Sequence, residues 1–376
     1  MIEKSDHTQR LIISLPEYMY MIAIVLNIFL RSMFNFGRWG TYISYIPIVI
    51  MVSYCLYKQS FNYKWFLWLI LGITISIGTK SLQCLFIILL IFVSPFIDIN
   101  KIMRQIVTIV FTCLFIIYMS TVVGIIPNLI LVRNGITRMA MGTQFPLVFS
   151  TYILYSCIYL TLMYYKRYPI KLSVLLLGIV FFLDKVTNSR NDELCILALI
   201  VVIGINKLRP YIKKVIFNIA YIVTFLLIFI SIFITKLVPY SSNIYNFMDE
   251  LFSGRLSLQY ILFEYYSPLL WGQNIPQQGF GGEQQTVNNY FYIDNSYARI
   301  LFMYGIIFFL FLMMTLGFRI YKYGTKRAYM LGIILLIILV SGISADSFSL
   351  LTQNMLILPL FFINDKSVNY LDGIIN

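Results

Sequence analysis

The chain has 376 residues, of which 60% are apolar and only 11% are Asp, Glu, Lys or Arg, with a mean hydropathy of +0.83. An ordinary soluble domain carries about 25% charged residues, so a soluble globule of this size would lack polar side chains for its surface. The composition reads as a polytopic membrane protein. The formal net charge is +13, but the basic residues are scattered between apolar runs and form no continuous patch, which argues against nucleic acid as a partner.

At about 20 residues per helical span, the apolar runs give twelve candidates: residues 11–30, 40–57, 65–79, 81–98, 105–127, 144–164, 172–188, 193–206, 215–238, 299–318, 329–345 and 354–363. The third, seventh, eighth and last are short, which leaves a range of ten to twelve. The expected fold is an all-α polytopic protein, a single integral membrane domain over residues 1–376. Met1 to Arg10 is polar and of mixed charge, leads into a run containing Pro16 and Glu17, and shows no small-residue cleavage site, so the first span is expected to stay in the membrane.

Twelve spans put both termini on one side. That side holds 18 of the 28 cations, twelve Lys and six Arg, and the positive-inside rule makes it cytoplasmic. The other face carries seven Arg (Arg31, Arg38, Arg133, Arg138, Arg190, Arg255, Arg299) against three Lys (Lys80, Lys185, Lys236). Lysine orients a membrane protein, whereas an excess of arginine on the outer face points to another use. The guanidinium fork grips phosphate and carboxylate in bidentate fashion, which suits an anionic lipid pyrophosphate. Snorkelling to outer headgroups is the competing explanation for any single arginine.

The five cysteines fall in apolar runs and the single histidine, His7, lies in the N-terminal tail. This suggests neither a disulfide framework nor a metal cluster and leaves Ser-His-Asp chemistry without its base.

Asp184 and Lys185, followed by Ser189-Arg190-Asn191-Asp192-Glu193, divide two short apolar runs. A bilayer tolerates such charge only at an interface or in a protein-lined cavity, so the cluster is either the outer turn of a helical hairpin or part of a site. Arg133 and Arg138 lie in another outer segment, Asn128 to Thr143, and Asp346 is the last acidic candidate.

The longest polar segment, residues 239–298, forms an extracytoplasmic loop. Ser253 is placed to cap a helix from about Gly254 to Tyr266, with Leu258, Ile261, Leu262 and Tyr265 at helical spacing. The loop continues through a turn- and amide-rich stretch containing Trp271 and ends in Tyr290-Phe-Tyr-Ile-Asp294-Asn-Ser-Tyr-Ala-Arg299. Rings stack on sugar faces and amides satisfy sugar hydroxyls. An aromatic belt at the interface explains the tyrosines equally well, but explains Asp294-Asn-Ser less well.

Several short stretches, taken in order, resemble the Wzy-type polysaccharide repeat-unit polymerases, related to O-antigen polymerases and ligases. They are Thr137-Arg138-Met-Ala-Met-Gly142 with Phe145-Pro146, Asn188-Ser189-Arg190, Leu251-Phe-Ser253-Gly254-Arg255 with Leu270-Trp-Gly272, and Asp294-Asn295-Ser296-Tyr297 with Arg299-Ile-Leu-Phe-Met-Tyr304-Gly305. They span about residues 130 to 305. Relatives often have His-Pro where this chain has Phe145-Pro146, and the Arg-rich repeat spacing of some members is not evident, since Gln144 stands eleven residues after Arg133.

The resemblance implies a GT-C-like glycosyltransferase in a bacterial plasma membrane, joining undecaprenyl-pyrophosphate-linked oligosaccharides at the outer leaflet without a nucleotide sugar, metal or other cofactor. It assigns catalytic roles to Arg138, Arg190, Arg255 and Asp294, with Glu264 or Asp192 as other conceivable bases. Substrate binding falls to Arg133, Arg299, Glu264, Asn295, Ser296, Tyr297 and Trp271. Besides the lipid-linked oligosaccharide and membrane lipids, the implied partners are a flippase and a chain-length regulator of the same pathway. Two alternatives stand beside it: a lipid-linked oligosaccharide flippase, and a ligase sharing fold and donor.

Overall fold

A computed structural model describes residues 13–34, 36–58, 63–133, 135–252, 254–279 and 290–363. The polar N-terminal tail with His7, the proposed cap Ser253 and part of the long loop lie outside the described residues.

The apolar runs fold into α1 (Leu15–Leu30), α2 (Gly37–Lys58), α3 (Tyr63–Thr79), α4 (Gln83–Val93), α5 (Ile99–Val122), α6 (Pro146–Tyr164), α7 (Pro169–Val186), α8 (Arg190–Ile205) and α9 (Pro210–Leu237). The chain then passes through the loop helices α10 (Asn243–Leu251) and α11 (Arg255–Tyr265), and through α12 (Ser296–Arg299), α13 (Ile306–Thr325), α14 (Tyr329–Ser341) and α15 (Leu351–Asn354). Trp39–Lys58, α5, α6, α9 and α13 are each long and apolar enough to cross a bilayer, and α1, Phe66–Thr79, Gln83–Phe96 and α14 are shorter apolar helices. The chain is thus an all-α membrane protein in its main elements.

Local chemistry sets the boundaries. Glu17, a charge in an otherwise apolar helix, accepts a hydrogen bond from the Ser14 amide at 2.7 Å, which is half of a capping box. Pro146, Pro169 and Pro210 open α6, α7 and α9, where a missing N–H costs nothing and φ is already helical. The Phe145-Pro146 pair is therefore a helix start.

Helix α6 is buried nearly all round and α14 likewise, as expected of helices apolar on every face. Around them pack α5, α7, α8, α9 and α13. Helix α9 turns Leu226, Phe229 and Ile230 outward, the surface of a helix that meets lipid.

Three features depart from the sequence expectation. First, the outer segment before α6 is a β-hairpin, β1 (Ile130–Arg133) and β2 (Ile136–Met139), antiparallel with Leu131 opposite Arg138. Second, α10 precedes the expected loop helix, its first turn capped by the Ser242 hydroxyl, which accepts the Tyr245 amide at 3.1 Å. Third, the twelfth apolar run is not a continuous helix. Residues 346–362 form short helical turns, at Asp346–Phe348, α15 and Leu358–Phe362.

This last segment nonetheless runs the length of α13. Asp346 pairs with Arg299 just before α13, and the Phe361 carbonyl accepts the Tyr323 hydroxyl near its end. Irregular backbone at membrane depth survives only inside protein and only if its polar groups are satisfied. Here tyrosine hydroxyls supply the donors: Tyr304 to Ser349 O (3.2 Å), Tyr152 to Thr352 O (3.3 Å), Tyr20 to Met355 O (2.8 Å) and Tyr159 to Leu356 O (2.5 Å).

Candidate functional site

The helix ends carrying the outer arginines gather at one end of the bundle. There α1 joins the start of α6 through the Ser32–Thr143 bridge, Arg138 Nε donates to the Thr187 carbonyl at the end of α7 at 2.7 Å, and Asn295 reaches Ser231 near the end of α9. Three of the expected site residues meet in this region.

Arg255, at the first position of α11, donates through Nε to Asp294 Oδ2 at 3.0 Å. The left-handed Gly254 before it (φ 80°) lets the chain turn into the helix. Next to this pair, Arg299 Nη1 lies 3.3 Å from Asp346 Oδ2, and its guanidinium sits 5.2 Å above the Tyr292 ring. The Tyr292 hydroxyl also donates to Asp346. Burial pushes the Asp294 carboxyl above the usual carboxylate range, and Asp346 adds to the rise against the pull of Arg255. Burial and the Asp346 charge raise the Tyr292 phenol, which keeps it a neutral donor.

An apolar groove of about 240 Å³ ends at the Arg255–Asp294 pair. Leu227, Ile230 and Ile234 of α9 form one wall, Leu258 and Leu262 of α11 the other, and Ile293 and Ile343 the floor. Leu227 and Ile230 are also exposed on the lipid-facing side of α9, so the groove opens sideways.

Asn295, Ser296 and Tyr297 have protein partners for their polar groups. Asn295 Oδ1 caps α12 by accepting the Tyr297 and Ala298 amides at 2.9 and 3.1 Å, and its Nδ2 donates to Ser231. Ser296 donates to the Ala345 carbonyl and Tyr297 to the Leu339 carbonyl. These residues hold Asp294 and Arg299 against α9 and α14. After Arg299 the helix loosens into a π turn, Ile300–Tyr304, and ends at Gly305. There Gly305 (φ 93°) and Gly272 (φ 82°) touch backbone to backbone: a Cβ on Gly305 would lie 2.4 Å from Gly272 N. Trp271 belongs to this turn and is exposed. Glu264 is exposed near the far end of α11, nine residues from Arg255. Neither joins the cluster.

Arg138, Arg190 and Glu193 form a second group at the α7–α8 corner. Arg138 ties β2 to α7, exposed Arg190 opens α8, and both act electrostatically on Glu193. Asp192 faces inward from the same turn, 1% exposed, with Ser150 and Thr151 donating to its carboxylate. The stretch around residues 184–193 is thus the turn of a helical hairpin, between α7 and α8. The Arg133 side chain lies outside the described residues.

Sequence reasoning missed the joining roles of Tyr292, Asp346 and Ser231. The available signal was Asp346 itself: a lone carboxylate beside an apolar run needs a cation. No family model, curated protein or solved structure matches the chain.

Proposed function

We propose that the protein is a polysaccharide repeat-unit polymerase that transfers a growing glycan from its polyprenyl pyrophosphate to a hydroxyl of the next lipid-linked unit, at the outer leaflet of a bacterial plasma membrane. The observation that carries this reading is the apolar, laterally open groove that ends at Arg255 and Asp294. An isoprenoid chain fits such a groove, and its pyrophosphate would meet the guanidinium.

Asp294 engages only Nε of Arg255, which leaves the two terminal nitrogens for a bidentate phosphate contact. In the reaction the acceptor oxygen bonds to the anomeric carbon, the bond from that carbon to the pyrophosphate oxygen breaks, and the leaving electron pair stays on the pyrophosphate. Arg255 stabilises this growing charge and Asp294 takes the acceptor proton. Arg299, held by Asp346 and Tyr292, adds positive potential, and Arg138 and Arg190 at the neighbouring corner are placed to meet the glycan or its phosphate. With the twelve crossings expected from the sequence and its positive-inside bias, both termini would be cytoplasmic.

A flippase would place its cavity along the bundle, whereas the groove lies at the loop end, which favours transfer over passage. The test is where and in what form lipid-linked glycan accumulates when Arg255 or Arg138 is replaced by alanine at unchanged protein level. Single repeat units in the outer leaflet are expected. Normal long-chain polymer from both variants, or accumulation in the inner leaflet, rejects the reading.

A further inference from the structure

A second cavity, of about 630 Å³, lies at the same end of the bundle, between the end of α1, the starts of α2 and α4, and the residues before α15. This volume falls within the range of roughly 300–1,000 Å³ typical of small-ligand sites. Its character differs from that of the groove. Thr41, Gln83, Gln144 and Thr352 offer hydroxyls and amides, and the Tyr45 ring, stacked on Phe86 at 3.9 Å, gives it an aromatic wall.

Arg31 is the one charged residue among the described lining. Its position is built: it caps the C-terminus of α1, its carbonyl accepts the Gln144 amide at 2.9 Å, and the Gln144 side chain donates to Leu30 O at 3.0 Å. Yet among the described residues its Nε is buried without a hydrogen-bond partner, and no carboxylate lies within 4.0 Å of the guanidinium. An unpaired buried donor is costly, more so when charged, so this wall of the cavity carries a positive charge with no counter-charge among the described residues.

We propose that this cavity binds a sugar unit bearing a single carboxylate, a uronic acid, with Arg31 gripping the carboxylate and Thr41, Gln83, Gln144 and Thr352 meeting the ring hydroxyls. Charge balance selects the anion: one cation matches one carboxylate and falls short of a pyrophosphate. The lining argues against an amino acid, since its described residues include no carboxylate for an ammonium group. The inference rests on the transferase reading, in which this cavity is the acceptor side.

The test is calorimetry on the purified full-length protein with three probes: a glucuronic-acid-containing disaccharide, its carboxyl-reduced neutral counterpart, and inorganic pyrophosphate. The acidic disaccharide is expected to bind at least tenfold more tightly than the other two. Arg31→Gln should weaken it at least tenfold and leave the neutral counterpart unchanged. Thr41→Trp, at an exposed position on the cavity rim, should block it without touching the guanidinium, so a misfolded Arg31 variant does not decide the matter. Equal binding of the acidic and reduced disaccharides, no binding of the acidic one, tighter binding of pyrophosphate, or full binding to both variants overturns the proposal. Loss of this binding model with polymer synthesis still dependent on Arg255 removes only the acceptor site; Arg31-dependent binding with normal polymer from the Arg255 variant removes only the polymerase reading.

Discussion

Replacing Arg255 by glutamine separates the two roles given to this side chain. Its contact with Asp294 is 3.0 Å long, with 23% and 18% of the two side chains exposed. The gross attraction at that distance is about 5 kcal/mol in an effective dielectric of ~20. Desolvation offsets part of it, and truncation leaves Asp294 buried without its cation, a cost of about 3–5 kcal/mol for a fully buried pair. With about a fifth of each side chain in water, roughly 2–3 kcal/mol of stability should be lost. Removing a preorganised donor from a developing anion costs a further ~3–4 kcal/mol of barrier, or 10²- to 10³-fold in rate. The two losses part company in the Arg255→Gln/Asp294→Asn double variant, which has no unpaired charge. It should regain most of the stability and none of the rate. The assay is glycan extension in proteoliposomes supplied with lipid-linked repeat units, read as a product ladder, with melting temperature measured in parallel. A wild-type ladder from Arg255→Gln, or recovery of the rate in the double variant, would show that Arg255 only neutralises Asp294.

Asp294 has its carboxyl raised by burial, so extension should rise with pH along a limb above the ordinary aspartate value of about 3.9, and Asp294→Asn should remove that limb. The same raised value means that Asp294 supports stability below its unfolded pKa and loses that support as pH rises through its folded one; a melting temperature that rises over this window contradicts the assignment. Gly305→Ala forces a side chain into a left-handed position 2.4 Å from Gly272 N; a loss exceeding the ~1–2 kcal/mol of the backbone penalty alone is expected in thermal unfolding, and a neutral result refutes the close approach. Tyr159→Phe removes the closer of two tyrosine donors to the Leu356 carbonyl, leaving Tyr20 at 3.4 Å, and should cost about 0.5–1.5 kcal/mol, measured by unfolding in detergent; no loss would mean that Tyr20 alone satisfies the carbonyl.

Hydropathy located the runs that became helices α1 to α9, α13 and α14, because length and apolar content are what a bilayer demands of any span. The terminal run failed on the same measure. Leu356 to Ile363 is as apolar as a span, but the bilayer's demand does not distinguish lipid from protein as the apolar surroundings. The tyrosines that satisfy this segment's carbonyls come from distant helices, so only the assembled bundle shows why it need not be helical. The hairpin before α6 escaped notice because four-residue strands are too short for a period to register, although Gly135 at φ 76° marks the turn.

At the site, Arg255 and Asp294 were visible as outer charges in the long loop and Arg299 as the first residue of the tenth run. Their grouping into two ion pairs was not, because Asp346 joins from 47 residues away. The aromatic and amide residues around Asp294 proved to be the frame: Asn295 caps a helix and Tyr297 anchors to α14.

The terminal crossing also bears on how the protein is built. A span that forms its own helix can leave the insertion machinery alone, since its backbone is satisfied before it meets lipid. The run from Asp346 to Phe362 lacks that independence: five of its carbonyls, at Ser349, Thr352, Met355, Leu356 and Phe361, take hydrogen bonds from tyrosines on α1, α6, the turn before α13 and α13 itself. Its carbonyls are therefore satisfied only in a slot walled by those helices. Chains cut before Asp346 would be left with an open seam lined by phenolic hydroxyls, the kind of lesion that membrane quality control recognises.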